Sequence, residues 1–140
     1  MSRKLFGMIK MTAKPVVIID PHFRTMHEIF EDTDLARLHQ LATVLWAKDD
    51  PMPMDEFAAA IPQAEAVVCA DWRYGPEALK NATKLRAVLT VSGGFPRQID
   101  YDECFGRGIR VLSAAPAFAR SVAEMALAMA LALGRDIVVG

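Results

Sequence analysis

The 140-residue chain has two cysteines, three histidines and a net charge of −1, and each scarcity closes off a class of function. Cys69 lies in an apolar run and Cys104 in a helical one, with no CxxC pair. A disulfide framework is therefore not expected, and a reducing, cytoplasmic compartment fits. None of His22, His27 and His39 has a second ligand at metal-binding spacing with a third nearby, so no metal centre is expected. Lysine and arginine are scattered, without a basic stripe to neutralise phosphates, so nucleic acid is not an expected partner. No GxGxxG occurs: Gly106 and Gly108 lead into Ile109-Arg110-Val111 and open no helix, so no dinucleotide is expected to bind this chain alone. Internal repeats and low-complexity linkers are also missing. The length suits one domain with a core of its own.

What is present begins with MSRKLFGMIKMTAK, basic and without an apolar stretch long enough for a signal sequence; residues 1–13 read as a loose, disordered leader. Then short Val/Ile-rich runs alternate with helical spacing. Strands are expected at 15–20 (PVVIID), 43–47, 66–70, 86–91 and 109–112, with helices at 34–41, 55–61, 76–84 and 100–107. Gly108 is placed as a helix C-cap glycine should be. Continuous apolar strands between helices indicate an α/β fold, a flavodoxin-like doubly wound parallel sheet of about five strands.

The last twenty residues, SVAEMALAMALALGRDIVVG, are apolar on two faces. Ser121 followed by Glu124 has the form of a capping box, which starts a helix there. Val122, Met125, Ala126, Met129, Leu133 and Ile137 make one stripe, with Leu127 and Leu131 nearly opposite. The uncharged run, Met125 to Gly134, is about half the roughly 20 residues that cross a bilayer, and Glu124, Arg135 and Asp136 flank it. A membrane is therefore not an expected partner.

In a doubly wound sheet, ligands bind beyond the carboxyl ends of the strands. Those ends carry Asp20-Pro21-His22, Asp71-Trp72-Arg73, Ser92-Gly93-Gly94-Phe95 and Ser113 to Pro116. Ser92-Gly93-Gly94 has the strongest local chemistry, because paired glycines after a buried strand let backbone N–H groups approach an anion such as a carboxylate. The same glycines also suit a plain tight turn, and both readings stand at this point. Asp20 and Asp71 are read as turn formers, and Trp46, Trp72 and Tyr74 as the edge of the core. A phospho-receiver site would need a second acid beside Asp20 and a lysine after the fifth strand; Pro21 and Ser113-Ala114-Ala115-Pro116 stand there instead.

From Leu85 the chain strings together a strand (Val88 to Val91), a glycine loop (Ser92 to Phe95), the pair Ile99-Asp100 and a helix ending in Arg107-Gly108-Ile109. A strand running to proline (Val111 to Pro116) and a Val122-Ala123-Glu124 helix rich in Ala and Leu follow. This succession resembles the amino-terminal half of the D-isomer-specific 2-hydroxyacid dehydrogenases. The resemblance implies hydride transfer between a nicotinamide cofactor, NAD or NADP, and a 2-hydroxy or 2-keto acid. In the family the cofactor sits on a separate Rossmann domain after the VAE helix. The arginine, acid and histidine of the chemistry lie in or beyond that domain, so no catalytic residue is expected here.

Two roles carry over by resemblance. Ser92, Gly93 and Gly94 match the loop whose amides bind the substrate carboxylate, and Val122 matches a residue close to the nicotinamide. The loop is longer than the commonest family form, with Phe95-Pro96-Arg97-Gln98 ahead of Ile99-Asp100. The resemblance further implies a substrate domain over 14–116, an interdomain helix over 117–140 without a Rossmann domain, and a homodimer through Ser121 to Ile137. The alternative expectation is a non-catalytic, dimerising interaction module derived from that fold.

Overall fold

The structure, a computed structural model, describes residues 13–135 and residue 137; the expected leader lies outside the described residues save for Ala13. Five parallel strands form one sheet in the order β2-β1-β3-β4-β5: β1 (Val16–Asp20), β2 (Thr43–Trp46), β3 (Ala66–Cys69), β4 (Ala87–Thr90) and β5 (Arg110–Ser113). This is the flavodoxin-like order, with its switch point between β1 and β3. Helices α1 (Met26–Ile29) and α2 (Asp32–Leu41) connect β1 to β2, and α3 (Met54–Ala60) with a 3₁₀ turn connects β2 to β3. Single helices, α4 (Gly75–Asn81) and α5 (Tyr101–Gly106), make the next two crossovers, and α6 (Ala115–Gly134) follows β5.

The register explains the core. Ile18, Val67 and Val88 stand abreast and are fully buried, against Phe57, Ile61, Leu79, Cys104 and Ile109 from the helical side. One row further on, Asp20, Cys69, Thr90 and Ser113 are abreast at the carboxyl edge. Period-two alternation puts this row on the same, covered face.

The helix ends are satisfied across the chain as well as locally. Gly108 lies just past α5 with φ +71°. Its N–H donates to the Phe105 carbonyl at 3.1 Å, and the Ile109 N–H donates to Cys104 at 2.8 Å, which is the Schellman pattern. The Arg107 guanidinium then donates to the carbonyls of Leu79, at 2.7 Å, and Ala82, closing the end of α4.

The opposite face of the sheet is thinly covered. No residue of α1 or α2 is buried, and Leu112 is 47% exposed. Val17, Val68 and Leu89 of the sheet, Leu38 of α2, and Ala117 and Phe118 of α6 help wall an apolar hollow of about 620 Å³ there.

The terminal helix differs from the sequence expectation in two ways. It starts at Ala115 with Pro116 in its first turn, where proline's fixed φ and missing N–H cost nothing; Ser121 is interior. Glu124 makes no cap but accepts from Arg120 Nε at 2.9 Å, an i,i+4 pair. The helix is therefore 20 residues long, and long and apolar enough by length and composition to cross a membrane. The length argument against a membrane lapses, although Arg120 and Glu124 lie within the helix. None of its residues is buried.

Candidate functional site

The strand ends are organised by Asp20. Its carboxylate accepts from the Met52 N–H at 3.1 Å, from Arg73 Nε at 3.2 Å and Nη2 at 2.7 Å, and from the Tyr74 hydroxyl. Arg73 also donates to the Met52 carbonyl. Asp20 is therefore a buried hub joining three strand-end loops, and the turn-former reading of it is corrected. Burial, with the bond to Asp20, raises the Tyr74 phenol far above its ordinary pKa. Burial likewise pushes the Cys69 thiol up to about 12, with the Asp20 and Asp71 charges adding to the shift.

Trp72 and Tyr74 belong to the core itself. Both are buried, with Tyr74 stacked on Phe57 at 3.4 Å between ring centroids and Trp72 edge-on to both. Trp46 lies at the sheet edge with φ +68°, under the Lys48 ammonium at 4.2 Å.

Asp71 does form a turn, accepting from the Trp72 N–H at 2.8 Å. The same oxygen accepts from the Arg97 N–H at 3.2 Å, and so reaches the glycine loop. That loop leaves β4 at the carboxyl edge. Gly93 and Gly94 are exposed, and a Cβ built on either meets nothing within 4 Å. Neither has a positive φ, so conformation alone does not demand glycine there. The Gly94 carbonyl turns inward, accepting from Thr90 Oγ1 at 2.7 Å and Ser92 Oγ at 3.3 Å. Among the described residues, the N–H groups of Ser92, Gly93, Gly94 and Phe95 donate to no protein group. Free amides on an anchored loop are what a carboxylate needs.

Ser92, Gly93 and Gly94 are thus together at one strand end. Val122 is on α6, 64% exposed, two turns past the helix start. Ser92, Gly93 and Gly94 do not line the apolar hollow, but Thr90 and Val91, just before them, do. His22, His27 and His39 are exposed, and no cluster of His, Cys, Asp or Glu able to hold a metal occurs among the described residues. Among the described residues, α6 opens on Ala114, Ala115 and Pro116, without the glycine turn that cradles a pyrophosphate. Sequence reasoning gave no role to Thr90, Arg73 or Met52, whose partners for the most part lie far along the chain.

The chain is similar to a phosphoglycerate oxidoreductase from Rhizobium etli, with 29% identity and TM-score 0.65 over 89% of this chain and 38% of that one. It is also similar to a protein from Pyrococcus horikoshii OT3, with 22% identity and TM-score 0.66 over 89% of this chain and 34% of that one. An NAD+-bound 3-phosphoglycerate dehydrogenase from Entamoeba histolytica shares the fold at 16% identity and TM-score 0.55, over 86% of this chain and 39% of that one. The chain therefore spans well under half the length of these structures. No curated protein matches it. Residues 16–134 match the family model of the D-isomer specific 2-hydroxyacid dehydrogenase catalytic domain, and the chain belongs to that family.

Proposed function

We propose that this chain is the substrate domain of an NAD(P)-dependent 2-hydroxyacid oxidoreductase of the cytoplasm. The reading rests on one observation: an anchored strand-end loop, Ser92 to Gly94, with exposed amides that donate to no other protein group among the described residues. These amides hold the carboxylate of a 2-hydroxy or 2-keto acid and so fix the orientation of its carbonyl. A nicotinamide, when bound, would supply or take the hydride, with Val122 of α6 as the residue that would lie near it. In the proposed oxidoreductase the dinucleotide would sit on a separate Rossmann domain.

A chimera tests this. Residues 16–134 replace the matching segment of the Rhizobium etli relative, and NADH oxidation is followed with a panel of 2-keto acids. Turnover is expected, and Gly94→Val raises KM with little change in cofactor affinity, since its Cβ meets no protein atom within 4 Å and intrudes only on the ligand's side. A folded chimera that binds NADH and turns over no 2-keto acid refutes the reading. It would favour the second one, a non-catalytic dimerising module, which the apolar exposure of α6 supports.

A further inference from the structure

The amides that the loop offers outward are decided by which peptide planes the protein holds from inside. In a trans peptide the C=O of one residue and the N–H of the next point in opposite directions. The peptides of this loop are trans, since His22–Phe23 is the sole cis bond among the described residues. Thr90 is fully buried, and a buried hydroxyl needs an acceptor. Its single proton has the Gly94 carbonyl at 2.7 Å and the Leu112 carbonyl at 3.4 Å, and the shorter contact takes it. With the Gly94 C=O drawn inward, the Phe95 N–H faces away from the sheet.

A second plane behaves alike. The Ser92 carbonyl faces Ser113 Oγ at 3.5 Å, which turns the Gly93 N–H outward. Beyond them the Pro96–Arg97 peptide is clamped from both sides, by the Tyr101 hydroxyl on the Pro96 carbonyl at 2.6 Å and by Asp71 on the Arg97 N–H. Two outward amides therefore stand between fixed points.

We infer that Thr90 is a positioning residue of the carboxylate loop: by holding the Gly94 carbonyl against the sheet end, it aims the Phe95 N–H, beside that of Gly93, at the substrate carboxylate. The inference rests on the loop's proposed role and, of the four free amides of Ser92 to Phe95, selects those of Gly93 and Phe95 as the donors.

The test titrates the 15N-labelled 140-residue chain with sodium pyruvate, using sodium chloride at matched ionic strength as control. The Gly93 and Phe95 amide signals should move saturably, and more than those of Ser92 and Gly94. Thr90→Val, folded by the rest of its spectrum, should weaken the pyruvate dissociation constant about tenfold, the loss of a hydrogen bond that orders the donor. Thr90→Ser, which keeps the hydroxyl, should restore it. An unchanged constant in folded Thr90→Val overturns the positioning role, as does a wild-type loop in which Ser92 and Gly94 move instead. If Thr90→Val does not fold, the wild-type pattern and Thr90→Ser binding decide. A wild-type loop that ignores pyruvate, or answers chloride equally, overturns the carboxylate reading itself, and the positioning role falls with it.

Discussion

Four donors converge on the two oxygens of Asp20, and nothing polar in its side chain can point elsewhere. Asp20→Asn puts an NH₂ group against those donors and leaves the Arg73 charge without its partner. Breaking a buried pair from one side costs about 3 kcal/mol or more. The urea midpoint of Asp20→Asn should fall accordingly, and a change under about 1 kcal/mol would mean the hub is decorative. Local sequence could not show this. Asp20 before Pro21 reads as a turn, while its partners lie 32 to 54 positions away. The Asp71 turn was legible because one of its bonds is to its own neighbour.

Cys69 makes a pH prediction at the same scale. Its folded pKa, about 12, lies above the ordinary 9.0, and burial raises Cys104 too. The folded state then holds protons that the unfolded state releases. Their stabilisation is complete below about pH 9 and declines as pH climbs towards about 12. Denaturation midpoints should drop between about pH 7.5 and about pH 10.5, with a shallower decline in Cys69→Ala. Equal midpoints at the two pH values would contradict the burial of these thiols.

At the scale of elements, all five strands could be read from the sequence, because parallel strands covered by helices advertise themselves as Val/Ile runs. The ends of α6 and the existence of α1 were less visible. Ser121 and Glu124 imitate a capping box. The real reciprocal bond of that kind is at α1, where the Thr25 N–H donates to Glu28 at 2.9 Å and holds that carboxyl below its ordinary pKa. Helix α1 is one turn long, too short for periodicity to register. Helix α6 instead exposes Val122, Met125, Leu127, Met129, Leu131 and Leu133, each by more than half. Each such side chain gains roughly 1.5–3 kcal/mol on full burial, against an association cost of about 4–15 kcal/mol. A symmetric helix pair to which both protomers contribute a stripe can offset that cost, so the chain should dimerise at micromolar concentration. Light scattering should show wild-type dimer, and monomer once Leu127 and Leu131 are both replaced by Glu. A wild-type monomer with ordered α6 at high concentration would sink this expectation.

At the scale of the whole molecule, the sheet is well covered on one side and thinly covered on the other. The family resemblance was legible from motifs between Leu85 and Glu124, yet the uneven cover was not: Val17, Val68 and Leu89 look in sequence like strand residues buried twice over. The hollow beside them, about 620 Å³ and mostly apolar in its named walls, has the capacity of a pocket for a drug-sized molecule. Dyes such as anilinonaphthalene sulfonate brighten in such places, and their brightening is the usual sign of loosened packing. Here the native chain should light the dye while Trp72, fully buried, keeps its near-ultraviolet dichroism. The two optical signals that normally part company at a molten globule would coexist in the folded protein, and fluorescence alone would misreport its order.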